Sequence, residues 1–327
     1  MTASTERDSP PASTAQRLPD FFIVGHSKSG TTALYEMLRA HPQIFMPELK
    51  EPVYFARELP RQAHRYRAPE TLEQYLALFA SAQPGQLLGE ASASYLWSHT
   101  AAAEIAKLRP DAKIIAILRE PASFLRSLHM QNLRSHYEDE KDLRRALELE
   151  PARREGRSLP RRSLWPQALN YSERVRYVEQ LRRYHEVFPR EQVLVLIYDD
   201  FRADNEATVR RVLQFLRVDA DVEIEASEAN ATVRMRSPQL DDAVHALSIG
   251  AGPATRPLKA LVKALTPRRA RHRLLRAVQQ RVVAAAPERE DEQLMAELRG
   301  RYRGEVVALG EYLGRDLVRL WGYDDAR

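Results

Sequence analysis

No cysteine occurs in the 327-residue chain. That absence excludes disulfides, thiolate metal sites and a cysteine nucleophile, and it suits a reducing compartment such as the cytoplasm. No window holds 18 uninterrupted apolar residues, so no membrane-spanning helix is expected. Residues 1–20 lack the apolar core of a signal peptide. They are rich in Ser, Thr, Ala and Pro and read as a disordered leader. Residues 243–287 lack acidic side chains altogether, yet they hold Arg256, Lys259, Lys263, Arg268, Arg269, Arg271, Arg273, Arg276 and Arg281 among Leu and Val. This segment reads as a basic helical hairpin on the core. The sharper alternatives are a membrane-surface helix, giving peripheral membrane contact, or a patch for an anionic acceptor.

What is present is a globular mix, 44% apolar and 29% charged, enough for one large α/β domain or two small ones; residues 21–327 are expected to form a single domain. The formal charge of +5 favours an anionic ligand without selecting one. Phe21–Val24 and "AKIIAILRE", Ala112–Glu120, are continuous apolar runs, as is "QVLVLIYDD", Gln192–Asp200. Such runs mark buried parallel strands. A further strand ends in "LLGEASASYL", Leu87–Leu96. Helical spacing is read over Thr31–Ala40, Thr71–Phe79, Ala101–Leu108, from about Ser123, Ser172–Phe188 and Ala207–Leu216. A last helix and a packed aromatic tail are read in Leu309–Asp324. His41–Phe55, broken by three prolines, is expected to be mostly loop. Residues 134–168 are densely charged and read as an insertion or lid. Strand and helix alternate as in βαβ units, so a parallel β-sheet flanked by helices is expected. Its ligand belongs beyond the carboxyl ends of the strands.

"FFIVGHSKSGTT" at Phe21–Thr32 has the strand–loop–helix form of a P-loop, Gly-x4-Gly-Lys-Ser/Thr. Gly25 and Gly30 keep the glycine spacing, but Thr31 stands at the lysine position and Lys28 lies inside the loop. Backbone N–H groups and the helix N-terminus still favour an anion. The lysine suited to an ATP γ-phosphate is missing. Asp199 and Asp200, at the end of a strand pattern, are the nearest Walker-B-like candidates.

"GHSKSGTT" resembles the 5′-phosphosulfate loop of sulfotransferases that use 3′-phosphoadenosine 5′-phosphosulfate (PAPS). The resemblance implies that Lys28 contacts the oxygen bridging phosphate and sulfate, with Ser27, Ser29, Gly30, Thr31 and Thr32 around it. In "ILREPASFLRSLH" a strand ends in Arg119, and Ser127 follows eight residues later on a helix. That pair resembles the family's 3′-phosphate site, and a guanidinium gives a phosphate a forked contact. "NATVRMRS" resembles the late basic segment of bacterial members and makes Arg234 and Arg236 candidates. The resemblance covers most of 21–237 and the "LGRDLVRLW" tail.

Transfer of a sulfuryl group calls for alignment and for charge at the leaving oxygen, which Lys28 supplies. No metal is required by this logic, and the resemblance implies adenosine 3′,5′-bisphosphate as the product. Lys50–Glu51 matches the Lys-Glu segment of glycan sulfotransferases and makes Glu51 the candidate base, with His129 as the alternative. Some relatives carry His where this chain has Val53, a departure that bears on the acceptor class. The acceptor is expected to be a glycan, glycolipid or small natural product, not a nucleic acid. The alternatives are a P-loop-like nucleotide kinase or NTPase, and a non-catalytic protein binding anions through the basic segment.

Overall fold

The computed structural model describes residues 17–59, 68–160, 165–222, 234–235, 284–285 and 291–324. The basic residues at 256–281 and Arg236 lie outside the described residues.

The chain runs β1 (Phe21–Gly25), α1 (Thr31–Arg39), β2 (Ile44–Phe45), α2 (Leu72–Leu76), β3 (Leu87–Ala91), α3 (Ala101–Leu108) and β4 (Lys113–Leu118). It continues through α4 (Pro121–Arg134), α5 (Leu143–Glu148), α6 (Glu150–Arg154), α7 (Tyr177–His185), β5 (Val193–Ile197), α8 (Tyr198–Ala203) and α9 (Asn205–Leu216). The last described elements are β6 (Arg234–Met235), β7 (Ala284–Ala285), α10 (Glu292–Leu313) and α11 (Leu317–Leu320). Two compact units divide the chain, Met1–Arg119 with Tyr177–Ser227 and Glu120–Arg176 with Glu228–Arg327.

The first unit holds a five-stranded sheet in the order β2-β3-β1-β4-β5. Every pairing in it is parallel, as the apolar runs predict. All five residues of β1 are buried, and β4 is buried from Ile114 to Leu118. Continuous burial explains why these strands show no apolar–polar alternation. α1 forms because Leu34, Tyr35, Met37 and Leu38 share a buried face, while Glu36 and Arg39 stay exposed.

The second unit packs α10 against α4. Pro121 opens α4, and the Glu120 carboxylate accepts from the N–H groups of Ala122 (3.0 Å) and Ser123 (2.6 Å). A proline and an acidic cap suit a helix start because both meet its unpaired N–H groups.

Several elements differ from expectation. The helix read over Ser172–Phe188 is split: a 3-10 turn at Ser172–Val175 ends at Arg176, whose ψ of 60° is not helical, and α7 begins at Tyr177. β5 stops at Ile197, and Asp199 and Asp200 lie in the first turn of α8 rather than in a strand. The long C-terminal helix begins at Glu292, capped by Asp291, and ends at the left-handed Gly314. The charged stretch after residue 134 has a buried centre: Glu138 and Arg153 pair at 2.7 Å with side chains 0% and 1% exposed. Arginine binds the carboxylate through two nitrogens, and Tyr171 donates to it as well (3.1 Å). A charge pair lacks an apolar pattern, so its burial is invisible to periodicity.

Candidate active site

The first unit brings the loops after β1, β3, β4 and β5 together. Gly25 ends β1 at φ 154°, and a Cβ there would lie 2.8 Å from Leu96 Cβ and 2.9 Å from the Ala93 carbonyl. Only glycine lets the loop after β3 approach this closely. Gly30 has φ 86°, and a Cβ on it would press within 3.0–3.2 Å of the Phe201 and Tyr198 rings of α8. The two glycines of the motif are thus required by neighbours as well as by backbone angles.

Between them, Ser27 and Lys28 are half-buried and Ser29 is buried. Lys28 adopts φ 64°. The Ser29 hydroxyl oxygen is buried without a hydrogen-bond partner. α1 begins at Thr31 with no side-chain cap and no acidic residue in its first turn. Its leading N–H groups therefore lack a side-chain acceptor, and an anion is the natural complement. An orphaned hydroxyl beside an uncapped helix start fits a phosphate-bearing ligand.

Arg119, just past β4, donates from Nη1 to the Lys28 carbonyl (3.0 Å). Its guanidinium carbon lies 5.0 Å from the centre of the Tyr198 ring, within cation–π range. Tyr177 on α7 donates to the Arg119 carbonyl (2.9 Å). His26, fully buried, donates from Nε2 to Gln180 Oε1 (2.5 Å). α7 therefore holds both the loop and the strand-end arginine. Sequence reading missed Tyr177, Gln180 and Tyr198, because contacts 58 to 168 residues away carry no local pattern.

Glu51 is fixed by the loop after β3. Its N–H donates to the Ala91 carbonyl (2.9 Å), and its Oε2 accepts from the Ala93 N–H (2.9 Å). Lys50 donates to Oε1 (2.7 Å). Ala93 thus touches Glu51 through its N–H and crowds Gly25 through its carbonyl, which sets the carboxylate at the same strand ends as the phosphate loop. Glu51 and Val53 take φ of 62° and 52°. Such angles cost roughly 1–3 kcal/mol each and persist where surroundings over-determine them. Here Val53 N–H donates to Ser92 Oγ (3.1 Å) and Phe55 N–H to the Tyr95 hydroxyl (3.3 Å).

Behind this loop lies Glu90 of β3, 0% exposed. Tyr75 (3.1 Å) and Tyr95 (2.8 Å) both donate to its Oε2, and its Oε1 has no hydrogen bond. Burial pushes the Glu90 carboxyl up to about 7, the nearby Ser92, Tyr95 and Tyr75 hydroxyls pull it down, and the Glu51 charge adds to the rise.

In the second unit, Ser127 on α4 is buried with its hydroxyl unpartnered. His129 is 4% exposed and donates from Nε2 to the Glu140 carbonyl (2.8 Å). Burial holds its pKa below the usual imidazole range. That placement gives the ring a structural partner rather than an open face. Arg234 sits on β6, which pairs antiparallel with β7. Among the described residues, no group of His, Cys, Asp and Glu could hold a metal ion, and no helix is long and apolar enough to cross a membrane.

The sheet and its phosphate-type loop define a class, the parallel α/β proteins with a P-loop-like strand–loop–helix. Residues 19–222 match the model of the sulfotransferase family, and the chain belongs to that family. It is similar to carbohydrate sulfotransferase 15 of Mus musculus, 30% identical over 62% of this chain and 44% of that protein. It is also similar to the human bifunctional heparan sulfate N-deacetylase/N-sulfotransferase 3, 33% identical over 63% of this chain and 23% of that protein. The chain spans less than half the length of either relative. Among solved structures, a sulfotransferase from Alicyclobacillus acidocaldarius matches at TM-score 0.58 and 29% identity, over 76% of this chain and 96% of that one.

Proposed function

We propose that this chain moves a sulfuryl group from PAPS to a hydroxyl or amine of a carbohydrate-type acceptor. The observation that carries the reading is Lys28 inside a glycine-bounded loop whose carbonyl is held by the strand-end Arg119 (3.0 Å). The family match supports sulfuryl transfer, and the named relatives support a glycan acceptor.

Ser27, Lys28, Ser29, Gly30, Thr31 and Thr32 would hold the 5′ end of the nucleotide, and Arg119 its 3′-phosphate. Ser127 has a 3′-phosphate role by its spacing, supported by its unpartnered hydroxyl. PAPS itself supplies the activated sulfuryl group. Lys28 sets positive charge at the leaving oxygen, an effect worth roughly 10²–10³ in rate for comparable donors. Glu51 takes the acceptor proton on its carboxylate. Its fixing by Ala93 and Lys50 favours it over His129, whose Nε2 is engaged. Arg234 and Arg236 are proposed to close over the nucleotide from the sequence resemblance alone.

Radiolabelled PAPS incubated with the protein and a panel of glycosaminoglycan chains should label a chain. Adenosine 3′,5′-bisphosphate should raise the melting temperature, by about 2.7 kcal/mol of stability at a hundredfold excess over Kd. Stabilisation by ATP with none by the bisphosphate would replace this reading with the kinase or NTPase one. Salt-sensitive anion binding without either nucleotide would favour the non-catalytic one.

A further inference from the structure

The buried acid behind the base loop has no part in the transfer just described. We propose that Glu90 is a positioning residue for Glu51, acting through Ser92–Tyr95 to hold the base loop in its left-handed turns. The inference rests on Glu51 being the base.

Four hydrogen bonds tie residues 51–55 to the segment that follows Glu90: Glu51 N–H to Ala91, Ala93 N–H to Glu51, Val53 N–H to Ser92 and Phe55 N–H to Tyr95. The Tyr95 hydroxyl is shared. It accepts from Phe55 at 3.3 Å and donates to Glu90 at 2.8 Å. A hydroxyl that donates to a carboxyl is oriented by it, and so presents its lone pairs to the loop. Tyr75 is oriented by the same oxygen (3.1 Å) and stacks on Tyr54 of the base loop, with ring centres 4.7 Å apart. Glu90 therefore grips the loop at two points, Tyr54 and Phe55, beyond the left-handed residues.

An apolar side chain would fill the space but orient neither hydroxyl. The carboxyl keeps one oxygen, Oε1, without a hydrogen bond in a fully buried place, so its charged form is costly. Ionisable or polar groups reach Glu90 from each element packed on it: Tyr75 of α2, Ser92 and Tyr95 of its own loop, Glu51 of the base loop and Tyr184 of α7. Lys50 adds a cation on the base loop, paired with Glu51 Oε1 at 2.7 Å. Burial is the main cause that raises the Glu90 carboxyl, and the Glu51 charge adds to it.

The test is a carboxyl titration by nuclear magnetic resonance on the full chain, with glutamate isotopically labelled at Cδ. One resonance should titrate near neutral pH and vanish in Glu90→Gln. In Glu51→Gln its midpoint should move to lower pH, because the neighbouring negative charge is gone. In Tyr95→Phe it should move to higher pH, and the Glu51 resonance should shift as its loop loses a support. Tyr95→Phe also identifies the resonance independently if Glu90→Gln fails to fold. A near-neutral midpoint that is the same in Glu51→Gln as in the parent protein overturns the proposal. So does a Glu51 resonance indifferent to both other substitutions. Sulfuryl transfer by Glu51→Gln at the parent rate would instead overturn the assignment of the base, and it is measured separately from the titration.

Discussion

Replacing Glu90 by Gln should alter how stability depends on pH more than stability at any single pH. The carboxyl has an ordinary value of 4.5 and is pushed up to about 7 in the fold. Between those values the folded chain holds a proton that the unfolded chain has released. Stability therefore falls as pH rises through this interval. The group's contribution is complete below the unfolded value and is lost once pH passes the folded one. A separation of about 2.5 units at 1.36 kcal/mol per unit gives roughly 3 kcal/mol. Gln keeps an oxygen for the Tyr75 and Tyr95 hydroxyls but has no proton to lose. The stability of Glu90→Gln minus that of the parent should then climb by roughly 3 kcal/mol from pH 4 to pH 8. Urea unfolding of both proteins at matched pH measures this difference, and groups that titrate alike in the two cancel. Parallel stability curves, separated by a constant, would refute the reasoning, because they would mean that Glu90 ionises in the fold as easily as in the unfolded chain.

The remaining expectations address the site and the core. Lys28→Ala should slow transfer by roughly 10²–10³ with the melting temperature unchanged, and parental turnover would remove the lysine from the chemistry. Arg119→Ala loses a charged donor worth about 1.5–3 kcal/mol, so calorimetry should show adenosine 3′,5′-bisphosphate binding weakened by roughly tenfold to a hundredfold. Glu51→Gln should cost roughly 10²–10⁴ in turnover while bisphosphate affinity is kept. Arg153→Leu strands the buried Glu138 carboxylate and should cost about 3–5 kcal/mol, whereas pairing it with Glu138→Met should recover much of the loss. Equal unfolding midpoints for the single and double variants would contradict this. Gly89→Ala would drive a methyl into the Phe21 ring and the Met46 sulfur, and a loss of about 1–3 kcal/mol on chemical denaturation is expected.

The chemistry-bearing segments were legible where the signal is local. A run of apolar residues, a glycine at each end of a polar loop and a helical repeat all lie within a dozen residues, and β1, α1 and β4 fall where those patterns put them. Lys28, Arg119 and Glu51 also stand in short motifs, and their roles are proposed from those motifs. The places where sequence reading slipped share a cause. Arg176 interrupts a helical repeat by its backbone angle, not by its residue type. Asp199 and Asp200 continue an apolar run on paper but turn into α8. Glu138 and Arg153 look like solvated charge until each is seen to bury the other.

By itself, the sequence determined that the chain is an α/β protein with a phosphate-type loop whose lysine is moved inward, and it ruled out thiol chemistry. Those properties depend on residue identity and short spacing, which any conformer of the chain shares. Tertiary structure decided that Ala93 carries the Glu51 carboxylate, that α7 braces the loop at His26, and that burial pushes the Glu90 carboxyl up from its ordinary value. Each of those rests on which distant segments exclude water from one another. Desolvation and long-range hydrogen bonding have no sequence pattern of their own.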